Sequence, residues 1–138
     1  MFPSDEETAH LLRESTRLQQ ADDMDGAIAC LTAAKEKMLV SDVSYPIETW
    51  CKRARYLRDA RRFDEAVAEL EWLRDDLPRR AAREHFVDDP TYGGTRAEKQ
   101  KKANASTVHA KQHIAKELRA VESHRTAPPR PPRPPRPL

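Results

Sequence analysis

From Leu11 to Leu77 the apolar residues recur at intervals of three and four, in two stretches that align at an offset of 39 residues. Leu11 pairs with Trp50, Ser15 with Ala54, Leu18 with Leu57, Met24 with Phe63, Ala27 with Ala66 and Leu31 with Leu70. Such spacing puts one apolar stripe on each helix of a helix–turn–helix unit. In the second copy it predicts helices over 47–60 and 64–77, with Pro46 opening the first and Pro78 closing the second. Asp25 and Asp64 stand where the second helices begin and are expected as N-caps. The core candidates are Trp50, Leu57, Phe63, Ala66, Leu70 and Leu73.

Beyond Pro78 the pattern changes. Residues 79–87 have the composition to begin a further helix, which Asp88–Gly94 then stops. From Thr95 to His124 a long helix is expected, its narrow seam made of Ala103, Thr107, Ala110, Ile114, Leu118 and Val121. The chain ends with three Pro-Pro-Arg steps, and seven of its eleven prolines stand in the last eleven positions. Proline donates no backbone hydrogen bond and fixes φ, so this stretch is expected as a solvated polyproline II segment outside the core.

The whole is therefore read as all-α. An arm at 1–7 leads into two antiparallel helical hairpins within 8–87, a short α-solenoid. A turn at 88–94 and a long basic capping helix at 95–124 follow, and a disordered Pro/Arg tail at 125–138 ends the chain. Composition agrees: of 138 residues, 38% are hydrophobic and 35% charged, which suits a small helical domain and not a sandwich or barrel.

The second copy resembles the tetratricopeptide repeat, with Trp50, Ala54 in the small position, Leu57, Phe63, Ala66, Leu70, Leu73 and a closing Pro78 at the family's spacing. Arg53 departs from it, standing where an apolar residue is usual. The first copy is weaker, with Glu14 at the equivalent place and Leu39 for the proline. The 39-residue offset exceeds the family's unit of about 34 residues, and the surplus falls in Val40–Pro46. The resemblance covers residues 8–80. It implies a concave groove for partner peptides, lined by Leu12, Thr16, Gln19 and Gln20 in the first copy and by Cys51, Arg55, Arg58 and Asp59 in the second.

Charge gives that groove a direction. The net charge of +2 separates into −6 over residues 1–90 and +8 over 91–138. Six cations crowd the helix between Lys52 and Arg62. Of these, Lys52, Arg55, Arg58 and Arg62 are the candidate partner-binding residues, since guanidinium forks grip carboxylates in pairs. The alternative is pairing within the chain, with the acids of 22–37 and 64–77. In the tail, Arg130, Arg133 and Arg136 are the candidate contacts. Pro128–Arg133 fits P-x-x-P-x-R and Arg125–Pro131 fits R-x-x-P-x-x-P, orders that resemble ligands of Src-homology-3-type domains. The same run resembles proline-rich antimicrobial peptides.

Catalytic chemistry finds no constellation. No glycine-rich phosphate loop or nucleophile elbow is present, and Asp22-Asp23, Asp75-Asp76 and Asp88-Asp89 read as caps and solvated faces. His109, His113 and Glu117 share a helix face, but the glutamate of an H-E-x-x-H pair is missing and Lys111 and Lys116 lie close. No cofactor and no metal are expected. Cys30 and Cys51 are read as reduced thiols, and the start Ser4-Asp5-Glu6-Glu7 does not read as a secretory signal.

The functional expectation is a non-enzymatic adaptor or inhibitor, soluble and cytoplasmic, that binds an acidic protein partner through its groove or basic C-terminal region. Homodimerisation is a second way to cover the open end of the stack. The alternative function is nucleic-acid or other polyanion binding through the basic helix and tail, with no aromatic residue after Tyr92 to stack on bases.

Overall fold

The computed structural model describes residues 3–41, 45–82 and 93–128. The described residues form six helices: α1 (Pro3–Gln20), α2 (Met24–Val40), α3 (Ile47–Trp50), α4 (Lys52–Asp59), α5 (Phe63–Ala82) and α6 (Arg96–Thr126). No strand occurs among the described residues, so the protein is all-α. No described helix is long and apolar enough to cross a membrane.

α1 and α2 pack most closely, and small side chains explain how. Thr8 and Ser15 on α1 and Ala27 and Ala34 on α2 are all buried, which lets the two backbones approach. The Ser15 hydroxyl donates to the Leu12 carbonyl at 2.6 Å, so its burial leaves no orphaned polar group. α3 and α4 form one rod with a local break at Cys51 (φ −81°, ψ −8°). The hydrogen-bond ladder continues across it, from Cys51 N–H to Ile47 O at 2.9 Å and from Arg55 N–H to Cys51 O at 3.0 Å.

The turns α1–α2 and α4–α5 close with the same bonds, 39 residues apart. Asp23 N–H donates to Leu18 O and Arg62 N–H to Leu57 O, both at 2.8 Å; Asp22 N–H reaches Gln19 O at 3.1 Å and Arg61 N–H reaches Arg58 O at 2.9 Å. This double closure requires a left-handed residue just past the helix end. Asp22 (φ 62°) and Arg61 (φ 60°) occupy it, where glycine is the usual choice.

α6 lies across α5 and reaches α3 and α4. It runs antiparallel to α5, since Arg125 meets Asp64, and parallel to the α3–α4 rod, since His109 meets Glu48 and Glu117 meets Arg58. Ala110, Ile114 and Val121 join Leu57, Ala66, Leu70, Leu73 and Leu77 in one core. Its start is held by a full capping box between Thr95 and Glu98.

Several expectations are corrected. The α2 cap is Asp23, whose carboxylate accepts from Gly26 N–H at 3.0 Å, two residues before Asp25. α5 begins at Phe63, so Asp64 lies in its first turn, where a negative charge suits the helix dipole. Pro78 does not end α5, which continues to Ala82: proline withholds one hydrogen bond, while Arg79, Arg80, Ala81 and Ala82 are strong helix formers. Trp50 and Phe63 are only partly buried and pack against the core from its edge. Residues 79–82 belong to α5. Residues 83–87 of the expected further helix, most of the 88–94 turn, and the tail positions Arg130, Arg133 and Arg136 lie outside the described residues.

Candidate functional site

Of the six cations between Lys52 and Arg62, four lie on α4 and divide by the direction in which it points them, and Arg61 and Arg62 lie in the turn that follows. Lys52 turns back toward α1: its ammonium donates to Thr16 Oγ1 at 2.6 Å and to the Leu12 carbonyl at 3.1 Å, and lies 5.5 Å from the centre of the Tyr56 ring. Burial, with the nearby Arg55 charge, pushes its pKa below the ordinary lysine value. Lys52 thus ties the two hairpins together.

Arg53, the residue that broke the apolar pattern, makes a second tie. Its guanidinium is 2.5 Å from Glu69 Oε2 on α5 and donates to Thr32 Oγ1 on α2 at 3.0 Å. Lys35 of α2 binds the other oxygen of Glu69. With Glu69 only 4% exposed, one buried carboxylate is shared by two cations from two helices, so each oxygen has a partner. The Lys35 ammonium also sits 4.2 Å from the centre of the Trp72 ring, and Trp72 meets Trp50 at 6.4 Å. Sequence reasoning registered Arg53 as a departure but missed its partner. The available signal was Glu69 itself, an acid one helical step from the apolar stripe of Ala66, Leu70 and Leu73.

The remaining candidates vary in how open they are. Arg55 is partly exposed and donates one long bond, 3.3 Å, to the Glu48 carbonyl. Arg58 is drawn under α6, 3.6 Å from Glu117 and 3.3 Å from Asp59. Arg62 is exposed and bonds both oxygens of Glu65, which lowers the pKa of Glu65 and raises its own. Lys52 and Arg58 are therefore engaged within the fold, whereas Arg55 and Arg62 face outward. Arg61 lies 5.0 Å from the centre of the Phe63 ring.

The inner face of α6 is also paired. His109 Nε2 lies 2.8 Å from Glu48 Oε1, a contact that, with the Glu48 backbone, holds that carboxyl below its usual range. His113 lies 3.7 Å from Glu117, and its Nε2 is buried with no hydrogen-bond partner. Arg125 bonds Asp64 at 3.1 Å and covers the Phe63 ring at 5.6 Å. His109, His113 and Glu117 share a face as expected, but Glu48 and Arg58 take up two of them. Among the described residues no group of His, Cys, Asp and Glu is arranged to hold a metal ion. Neither cysteine is in a disulfide; Cys51 is buried and Cys30 partly so.

The outer face of α6 is different. Lys101, Lys102, Lys111, Lys116 and Arg119 are exposed, and among the described residues their side chains form no ion pair or hydrogen bond. Val108 stands among them, 54% exposed. Comparison of the chain with protein-family models, with curated proteins and with solved structures finds no match.

Proposed function

We propose that the protein is a non-enzymatic interaction module, an adaptor or inhibitor built from two tetratricopeptide-like hairpins with α6 as a third layer. The observation that supports this reading is the pair of turns closed by the same hydrogen bonds 39 residues apart, which gives the two hairpins matching geometry. Stacked hairpins present a continuous rigid surface, which suits capture of an extended or helical partner more than chemistry on a small substrate. On that surface Arg55 keeps guanidinium donors available for a partner carboxylate, next to Asp59, while Lys52 and Arg58 hold the surface in shape.

The test is affinity capture by the full chain, followed by mass spectrometry, with Arg55→Glu beside Arg55→Lys. Loss of the same partner with Arg55→Glu, at unchanged helicity, supports the reading. Capture that is indifferent to Arg55→Glu moves the partner off this face.

A further inference from the structure

We propose that the outward face of α6 is a docking surface for an acidic amphipathic helix of a partner protein. The inference rests on the interaction-module reading and names the class of partner.

The inner face of α6 is largely accounted for, with Ala110, Ile114 and Val121 in the core, His109 matched to Glu48, Glu117 to Arg58 and Arg125 to Asp64. The opposite face differs in charge and in partners. From Lys99 to Lys116 the helix carries no acid, and its exposed cations have no counter-ion among the described residues. Elsewhere in the fold several exposed charges are compensated locally, as in Arg17–Glu14, Lys37–Glu7 and Arg62–Glu65. A helix designed only to be wet would intersperse both signs.

The order of residues narrows the partner. At about 100° per residue, Lys101, Val108 and Ala115 follow one line, seven residues and roughly 10.5 Å apart. Lys111 flanks that line on one side and Lys116 on the other, with Arg119 continuing it. Val108 and Ala115 thus form a small apolar patch with Lys101 and Arg119 at its ends and Lys111 and Lys116 at its sides, and flanking charge of this kind is how paired helices choose oppositely charged neighbours. Its complement is a helix with a small apolar stripe and Glu or Asp on both flanks. A nucleic acid would meet the same charge but gain nothing from Val108, and α6 carries no Phe, Tyr or Trp to stack on bases. Val108 is therefore what selects a protein.

The test is fluorescence anisotropy on the full chain, using as probe a labelled 21-residue synthetic helix with Leu and Ala on one stripe and Glu on both flanks. The same peptide with Gln for every Glu and a duplex RNA of similar length are the comparisons. The acidic peptide is expected to bind at least tenfold tighter than its Gln counterpart, weakening with salt. Lys101→Glu, Lys111→Glu, Lys116→Glu and Arg119→Glu combined should cost tenfold or more at unchanged helicity. Val108→Ser should weaken the peptide about fourfold and leave any RNA binding unchanged. Equal binding of both peptides, or RNA bound tighter than the acidic peptide with no effect of Val108→Ser, overturns the proposal. If the peptide fails while Arg55→Glu still abolishes partner capture, only the α6 proposal falls. If the peptide binds while Arg55→Glu leaves capture intact, the proposal stands and the Arg55 face falls.

Discussion

α4 and α6 are both rich in cations, yet they use them in opposite ways. On α4, Lys52 reaches α1, Arg53 reaches α2 and α5, and Arg58 reaches α6, so a short helix of low apolar content becomes the hub of the fold. On α6 the apolar residues seat the helix, and the outer cations have no ion-pair partner among the described residues. The difference lies in position, not in residue type: a cation beside a buried carboxylate is structural, and one on a face without acids is available. Charge counts alone do not separate these roles.

Truncating the seat of α6 should do the most damage. Ile114→Ala removes a fully buried side chain from the α5–α6 contact and is expected to cost about 3 kcal/mol by urea unfolding. A loss under about 1 kcal/mol would mean that α6 is not part of the cooperative core. Glu69→Ala comes next. It leaves Arg53 and Lys35 without their shared carboxylate, and because both cations retain partial access to water the loss should be about 2–3 kcal/mol, below the upper range for a broken buried pair. A neutral result would show that the triad contributes nothing net.

Trp50→Ala refines the same comparison. As a fully buried aromatic it would cost several kcal/mol, but Trp50 packs at the edge against Trp72, so about 2 kcal/mol is expected from the same measurement. The smallest change should be a gain. Arg61→Gly relieves a left-handed backbone and forfeits a stacking contact on Phe63, for a net stabilisation of about 0.5 kcal/mol. A destabilisation would mean that the contact with Phe63 outweighs the backbone strain.

Much of the helical fold is legible in the sequence, because apolar spacing registers which face of a helix is buried. The aligned positions Leu18/Leu57 and Ala27/Ala66 mark both turns to within a residue or two. Caps are less legible: Asp22, Asp23 and Asp25 are chemically alike, and only backbone geometry selects Asp23. The third layer is legible in part: the seam Ala110, Ile114, Leu118 and Val121 marks the face that α6 buries. The run of α5 through Pro78 to Ala82 is not, because proline costs one hydrogen bond that its helix-forming neighbours offset. The candidate site was legible only as a list of cations. Which of Lys52, Arg55, Arg58 and Arg62 turn inward depends on groups brought from other helices, Thr16 and the Leu12 carbonyl for Lys52 and Glu117 for Arg58.

One paired measurement reaches the central claim, that α4 uses its cations to build the fold and α6 leaves its outer cations free. Equilibrium urea unfolding of Arg53→Ala should show a loss of about 2 kcal/mol or more, while Lys101→Ala, Lys116→Ala and Arg119→Ala together should remain within about 0.5 kcal/mol of the parent. Equal losses from the two variants would contradict it.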